Sequence, residues 1–118
     1  MSQHRKHRGY ESQRIVADYL RAHGWPYAEP TGAGRQGSDV TGLGPLFDVE
    51  VKARRDLDLT GTLAQLQRRA DCDNGAHIDL IPFAVIRPDG YGPARIGDWP
   101  VVIRLADFLP LMHTWEDS

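Results

Sequence analysis

The stretch DVTGLGPLFDVEVKA, residues 39–53, decides the fold because its pattern is typical of a β-hairpin. Two runs with β-branched residues flank residues 42–45, whose glycines and proline favour a turn. In the second run the side chains alternate between two faces. One face carries Phe47, Val49, Val51 and Ala53, and the other carries Leu46, Asp48, Glu50 and Lys52. We therefore expect the apolar face to lie on the core side.

The polar face of this hairpin brings two carboxylates and a lysine together. A four-residue turn would place Asp39 opposite Asp48 and diagonal to Glu50, at a separation of about 7 to 8 Å. One cation can bridge two carboxylates across such a gap. Lys52 would then stand on the same face, about 7 Å beyond Glu50 along the strand. A slip of one residue would move Asp39 to the wrong face, so this geometry depends on the register.

These residue types suit metal-assisted phosphodiester hydrolysis. Mg²⁺ prefers oxygen ligands and keeps several waters, so Asp39, Glu50 and the carbonyl of Val51 can hold it while one water attacks phosphorus. Lys52 can orient or deprotonate that water, or offset charge in the transition state. Because a Glu-x-Lys pair alone is usually a surface feature, the conjunction with Asp39 is what indicates a site. The alternative is a surface ion-pair network.

The segment just before Asp39, GAGRQGSDV at residues 32–40, has the spacing G-x-G-x-x-G of a dinucleotide-binding loop. That loop requires a helix directly after it, whereas SDVTGLGP follows here. A phosphate-binding P-loop is excluded because no Gly-Lys-Ser/Thr ends the segment. We therefore interpret the glycines as a flexible loop beside Asp39.

The rest of the chain predicts helices packed on a sheet. A helix with one buried face is expected over residues 12–23, ended by Gly24 and Pro26, and its stripe is Ser12, Ile15, Val16, Tyr19, Leu20 and His23. Glu11 lies about 40° from Ile15 around the axis, at the margin of that face. It can therefore look toward the sheet, or simply stabilise the first turn of the helix.

Further elements complete an α/β sheet with the order α, β, β, β, α, β, β, α. Residues 27–29 are a short strand. A second helix starts near Thr60 or Thr62, buries Leu63, Leu66 and Ala70, and breaks at residues 73–75. Residues 78–86 are a strand in which Pro82 requires an edge or a bulge. Residues 87–92 turn the chain, 100–105 form a strand, and 105–112 form a closing helix.

The bulk composition bounds the class of protein. The 118 residues form one domain, 1–118, with net charge −2. Residues 1–55 carry +3 and residues 56–118 carry −5, so the first half could hold a polyanion, although a solvated charged surface is the alternative. The single Cys72 and scattered histidines leave no zinc pattern. No signal peptide or membrane span is visible, so we expect a cytoplasmic protein.

The helix with Glu11, the segment GSD that ends at Asp39 and the run EVK that ends at Lys52 resemble the PD-(D/E)XK nuclease superfamily. Within it they resemble the Holliday-junction-resolvase-like branch, including small phage and actinobacterial members. The likeness also covers RKHRG, WPYAEPTGAGRQGSDVTG, VEVKARR and RIGDWPVVIRLADFLPLM. It implies a restriction-endonuclease-like αβββαβ core with a central mixed sheet flanked by helices.

The resemblance implies roles for individual residues. Asp39, Glu50 and Glu11 would bind metal, Lys52 would be the catalytic lysine, and Gln65 would match a glutamine on the helix after the lysine. The alternative for Gln65 is a polar residue on a solvated helix face. Thr31 and Arg35 would lie near the scissile phosphate. Two departures are visible: Ser38 replaces a proline, and Glu11 stands closer to the preceding Arg-Gly than in archaeal relatives.

We therefore expect a Mg²⁺-dependent structure-selective endodeoxyribonuclease that resolves four-way DNA junctions, with Mn²⁺ able to substitute. The family's proteins are commonly homodimers, in the cytoplasm or, if phage-encoded, in the host cytoplasm. A basic N-terminal arm over residues 1–8 and the pair after the lysine would contact DNA: Arg5, Lys6, Arg8, Arg54 and Arg55. The alternatives are a less selective repair or restriction nuclease, and a non-catalytic nucleic-acid-binding module.

Overall fold

The computed structural model describes residues 3–32, 37–53, 56–71 and 80–117, with side chains from residue 9 to residue 116 of those ranges. Over these ranges the fold is α/β, with three α-helices and a five-stranded mixed sheet. In chain order the elements are α1 (Gln3–Ala22), β1 (Glu29–Pro30), β2 (Val40–Thr41), β3 (Phe47–Lys52), α2 (Leu59–Ala70), β4 (Ile81–Ile86), β5 (Val101–Ile103) and α3 (Leu105–Asp117). This order confirms the sequence prediction, except that a 3₁₀ helix at Pro93–Asp98 precedes β5.

The strands lie in the spatial order β1-β2-β3-β4-β5. The first three pair antiparallel, β3 and β4 pair parallel, and β5 returns antiparallel to β4. The parallel pair requires a crossover, and α2 supplies it. β3 is therefore the central strand, and both of its faces are available for packing.

Helix α1 begins at Gln3, earlier than residue 12, so the backbone of the basic segment forms its first turns and is not a separate arm. It ends at Ala22, as Gly24 predicted. Its buried side chains are Ser12, Gln13, Ile15, Val16 and Ala17, with Leu20 partly buried. The predictions for Tyr19 and His23 were wrong: both are exposed, and their rings lie 4.3 Å apart on the outer surface. The buried face of α1 includes Ala17, which is completely buried, and does not extend to Tyr19 or His23.

The larger core lies between α1 and the face of the sheet that carries Val49. Alternate residues of neighbouring strands share a face, so the core side chains of β2, β3 and β4 meet on one side. The buried members are Ile15, Val16, Ala17, Ala28, Val40, Leu43, Val49, Val85 and Trp99. The apolar face of the second hairpin strand is thus on the core side, as predicted.

The opposite face of the sheet is also covered, by α2. Leu66 packs there on Ala84 and Ile86 of β4, with Val102 of β5 beside them. Asp58 caps the helix by accepting a hydrogen bond from the Gly61 N–H at 2.9 Å. The prediction that Leu63 points inward was wrong because it is exposed, and the buried neighbour on that helix is Thr62.

The turn between β2 and β3 depends on a close approach of the backbone. Gly42 has φ +85°, and a Cβ there would collide with the carbonyl of Tyr27. Leu43 in the same turn is buried. The observed register pairs Val40 with Val49, two residues away from the expected register. A shift of two residues keeps every side chain on its predicted face, so the polar and apolar faces are unchanged.

The proline at position 82 predicted an edge strand or a bulge. The strand that contains it, β4, instead pairs with β3 on one side and with β5 on the other. Ile81 N–H donates to Leu46 on the β3 side, whereas Ile86 N–H donates to Pro100 on the β5 side. Since successive residues of a strand alternate in direction, the position of Pro82 faces the β5 side. The β5 pairing begins only at Phe83, opposite Ile103. The missing N–H therefore falls beyond the end of β5, where no ladder bond is lost.

The chain ends in α3, which is longer than predicted and carries an exposed apolar surface. Its exposed large apolar side chains are Leu105, Phe108, Leu109, Met112 and Trp115. A cleft of about 340 Å³ is lined by Phe108, Leu111, Met112, Trp115 and Glu116. Within the described part of the chain, none of the helices combines the length and apolar character that a bilayer crossing requires.

Candidate metal site

Asp39 stands immediately before β2, and hydrogen bonds fix both its backbone and its carboxylate. Its N–H donates to the Val49 carbonyl at 2.7 Å, and its carbonyl accepts from the Thr31 N–H at 3.0 Å. Its Oδ2 accepts from the Val51 N–H at 2.8 Å. The Thr31 hydroxyl also donates to the Asp39 carbonyl, at 3.3 Å. Thr31 therefore fastens the backbone of Asp39; its expected phosphate contact stays a prediction.

Ser38 holds the backbone at the position where the resembling family carries proline. Its Oγ accepts from the Val49 N–H at 2.8 Å and donates to the Val40 carbonyl at 2.7 Å. The first bond ties the residue before Asp39 to the central strand β3, and the second ties it to β2. The serine therefore restrains the chain through its hydroxyl.

The Asp39 and Glu50 carboxyl groups lie close enough for a hydrogen bond. Burial, followed by the charge of Asp39, raises the pKa of Glu50 to about 7. Burial also raises the pKa of Asp39, although the Val51 N–H and the Glu50 hydrogen bond act in the opposite direction. Lys52 lowers the pKa of both acids by its charge. Asp39, Glu50 and Lys52 thus meet as predicted, with Glu50 closer to Asp39 than a diagonal pair.

Arg69, which the sequence interpretation missed, completes this face together with Asp48. Arg69, in the last turn of α2, donates through Nε and Nη2 to the two oxygens of Asp48 at 2.7 and 2.6 Å. Its Nε also lies 3.8 Å from Oε1 of Glu50. The signal was Asp48 itself: a carboxylate between apolar neighbours on a central strand must be paired when it is buried. The arginines on the following helix were the available partners.

The donor set fits a hard divalent cation. Asp39 and Glu50 are two partly desolvated carboxyl groups, and burial is the main reason that the pKa of each is raised. Oxygen donors of this kind are the preferred ligands of Mg²⁺. In the described ranges no three Asp, Glu, His or Cys side chains gather as a metal-ligand group. A backbone carbonyl, for which Val51 was predicted, and water would have to complete the coordination.

Glu11 does not join this pair. Its Oε1 lies 3.6 Å from Nη1 of Arg87, and the same Nη1 donates to the Ser12 hydroxyl at 3.1 Å. The Arg87 Nε donates to the Tyr91 carbonyl at 2.9 Å, and its guanidinium lies 5.3 Å from the ring centroid of Trp99. Glu11 therefore belongs to a largely buried network around Arg87 on the α1 side, which the sequence interpretation did not foresee.

The remaining predicted residues are spread over the chain. Gln65 lies half-buried on α2, between the residues that cover the sheet and those that face solvent. Arg5, Lys6 and Arg8 lie in the first turns of α1. Arg35, Arg54, Arg55 and Cys72 lie outside the described residues. The central cluster of the site is therefore Asp39, Glu50, Lys52, Asp48 and Arg69.

Comparison of the chain with protein-family models, with curated proteins and with solved structures gives no match. The interpretation of the site therefore depends on its own geometry and chemistry.

Proposed function

We propose that this protein is a Mg²⁺-dependent endodeoxyribonuclease that hydrolyses phosphodiesters in four-way DNA junctions. The observation that carries the proposal is the strand pairing of Val40 with Val49, which brings Asp39 next to Glu50, with Lys52 on the same face of β3 as Glu50. Such a pair is poorly neutralised by the protein alone, and one divalent cation would neutralise it. The order from α1 to β4 supports the finer assignment, a restriction-endonuclease-like αβββαβ core.

Each residue would have a distinct task in the reaction. Asp39 and Glu50 would hold the cation, which supplies an activated water and neutralises charge on the phosphate. Hydrogen bonds of Thr31 and Ser38 hold the backbone around Asp39 in place. None of these bonds uses the ammonium group of Lys52. The ammonium group of Lys52 would orient the attacking water, or stabilise the charge that develops on the phosphate oxygens. Mn²⁺ would substitute for Mg²⁺, because it also accepts carboxylate ligands.

The exposed apolar surface of α3 supports a homodimer as the active form. An apolar area on the order of 500 Å² is left in solvent, which is near the upper end for a monomer and comparable with more than half of one side of a dimer interface; the side chains are Leu105, Phe108, Leu109, Met112 and Trp115. A second copy suits this surface because a four-way junction has two opposed strands to cut. Sedimentation should show a dimer that Trp115→Glu dissociates. A monomeric wild type would contradict this part of the proposal.

The direct test is cleavage of three labelled substrates: a four-way junction, a matched linear duplex and a single strand, each with Mg²⁺ or with EDTA. Symmetric nicking of the junction alone, only with Mg²⁺, is the expected result. Glu50→Gln and Lys52→Ala should strongly lower the rate of this nicking, whereas the matched control Glu29→Gln, on exposed β1, should leave it unchanged. Undiminished cleavage by either site variant would contradict the assignment. Equal loss of all three substrates would instead indicate a less selective nuclease.

A second candidate is a non-catalytic nucleic-acid-binding module. It is favoured by Arg69, which neutralises Asp48 and approaches Glu50 as an ordinary ion-pair network would. Binding of the junction that does not depend on metal, with no cleavage in Mg²⁺ or Mn²⁺, would favour this module over the nuclease.

A further inference from the structure

Arg69 connects helix α2 to the strand that carries the candidate metal ligand Glu50. Its guanidinium contacts both oxygens of Asp48, and the same Nε that donates to Asp48 lies 3.8 Å from Oε1 of Glu50. Asp48 and Glu50 are two residues apart on β3, so they point to the same face. One arginine thus faces two successive acids of that face.

Asp48 is suited to hold Arg69 in one orientation. It is buried, and its two oxygens accept two parallel bonds from a planar guanidinium, which fixes the plane as well as the position of that group. Glu50 is only 13 % exposed, with Arg69 Nε 3.8 Å from its Oε1, and the pairing of Val40 with Val49 brings Asp39 next to it. The side chain of Glu50 therefore has a fixed cation and a second acid as neighbours.

We propose that Arg69, oriented by Asp48, is a positioning residue that holds the Glu50 carboxylate where it binds the divalent cation. This inference rests on the proposed function, because it needs Glu50 to be a metal ligand. Groups that orient metal ligands from behind typically change metal affinity or activity by about 10- to 100-fold when they are removed.

A purely structural role would be different in its consequences. If the Asp48–Arg69 pair only fastens α2 to the sheet, its loss should lower the stability of the fold and leave cation affinity unchanged in the folded protein. The affinity for Mn²⁺ without DNA therefore distinguishes the two roles. It also separates metal binding from every later step of the reaction.

The variants must remove the contact without leaving a buried charge unpaired. Asp48→Asn/Arg69→Gln removes one negative and one positive group together, so the net charge of the face is kept and no orphaned ion remains. Arg69→Lys keeps the charge but loses the planar fork that binds both oxygens of Asp48. Arg68→Gln is the matched control, because it removes an arginine from the neighbouring, exposed position of the same helix.

Each folded variant is titrated with Mn²⁺, and electron paramagnetic resonance measures the free Mn²⁺. The pH is kept well above the Glu50 pKa of about 7. We expect Mn²⁺ affinity to fall by about tenfold in Asp48→Asn/Arg69→Gln and by less in Arg69→Lys. The Arg68→Gln affinity should equal that of the wild type. Circular dichroism at the titration temperature verifies that each variant is folded.

The outcomes separate this inference from the proposed function. Wild-type Mn²⁺ affinity in the folded double variant would overturn the positioning role and leave the metal site intact. If the double variant does not fold, wild-type affinity in Arg69→Lys has the same meaning. A wild-type protein that binds no Mn²⁺ would overturn the metal site and the positioning role together.

Discussion

The two faces of β3 are both covered by helices, but the packing that covers them is different. On the α1 side, Val49 is completely buried in an apolar cluster. On the α2 side, the same strand presents Asp48, Glu50 and Lys52, and Arg69 pairs with Asp48 and lies near Glu50. One six-residue strand therefore supplies part of the hydrophobic core on one face and a charged cluster on the other.

This difference separates stability from function. Burial of apolar surface against α1 stabilises the fold. Burial of Glu50 beside Asp39 costs free energy, because two acids lose solvent without gaining an equal amount of positive charge. A protein retains such a cluster when the cluster has a task, and binding of a divalent cation is the task that the ligand chemistry favours. Substitutions on the two faces should therefore have opposite consequences.

The largest effect is expected from Glu50→Gln on the charged face. Loss of one carboxylate ligand should lower the rate of junction cleavage by on the order of 10³-fold, the scale of a group that stabilises charge in the transition state. The amide is nearly the same size and carries no charge, so the fold should be retained. Single-turnover cleavage rates measure the effect. A Glu50→Gln cleavage rate within tenfold of the wild-type rate would contradict the functional role proposed for the charged face.

On the apolar face, Val49→Ala should act on stability alone. Removal of buried methyl groups from the cluster should lower the free energy of unfolding by about 2 to 3 kcal/mol. The matched control is Val101→Ala on β5, where the side chain is 54 % exposed and the change should be about 0.5 kcal/mol or less. Denaturant titration gives both values. Equal effects at the two positions would contradict the assignment of the core.

Stability should depend on pH through Glu50 in the absence of divalent cations. The pKa of Glu50 is raised from 4.5 to about 7 in the folded state, so between these values the folded protein binds a proton that the unfolded chain has lost. The contribution of Glu50 to stability is thus greatest below about 4.5 and falls as pH rises toward 7. Relative to Glu50→Gln, the wild type should lose on the order of 1 to 3 kcal/mol across this range.

Denaturant titration at several pH values compares the two proteins and cancels the contributions of other groups. Burial also raises the pKa of Asp39, so its contribution has the same sign and would remain in Glu50→Gln in part. A pH-independent difference between the wild type and Glu50→Gln would contradict the proposed burial of the acid pair.

The smallest effect is expected at Ser38, whose hydroxyl bonds the backbone of β2 and of β3 next to Asp39. Ser38→Ala removes the acceptor of the Val49 N–H and the donor to the Val40 carbonyl. We expect a loss of about 1 kcal/mol in the free energy of unfolding and a weaker hold on Asp39, visible as a reduced cleavage rate at limiting Mg²⁺. Ser38→Thr retains the hydroxyl and serves as the control. A stability loss without any change in Mg²⁺ dependence would limit Ser38 to a structural role.

The sequence predicted the order of the strands and helices because its periodicities are strong and its breakers are well placed. The alternation in β3 identified both faces of that strand, and Gly24 marked the end of α1. The register shift of two residues was not predictable from the turn length, because Leu43 of the turn is buried and Gly42 packs on the Tyr27 carbonyl. Leu43 packs in the core cluster, which includes residues of α1, and Gly42 lies against Tyr27, so both positions depend on parts of the chain outside the hairpin.

The candidate site was predictable only in part, for a related reason. Asp39, Glu50 and Lys52 are close in sequence, so local geometry brings them together. Arg69 and Arg87 reach their partners from 21 and from 75 residues away, and no local pattern relates such positions. The ion pair between Glu11 and Arg87 also joins residues that are far apart in the sequence. Long-range ion pairs depend on how the helices pack, which the periodicity of the sequence does not specify.

The central claim, that Asp39 and Glu50 form a site for a divalent cation, can be tested by thermal unfolding in the presence of Mn²⁺. A ligand that binds only the folded state raises the unfolding temperature with its concentration. The wild type should therefore unfold at increasing temperature as Mn²⁺ is added at a pH above 7, whereas Asp39→Asn should show little change. A wild-type unfolding temperature that does not respond to Mn²⁺, or an equal response in Asp39→Asn, would contradict the account.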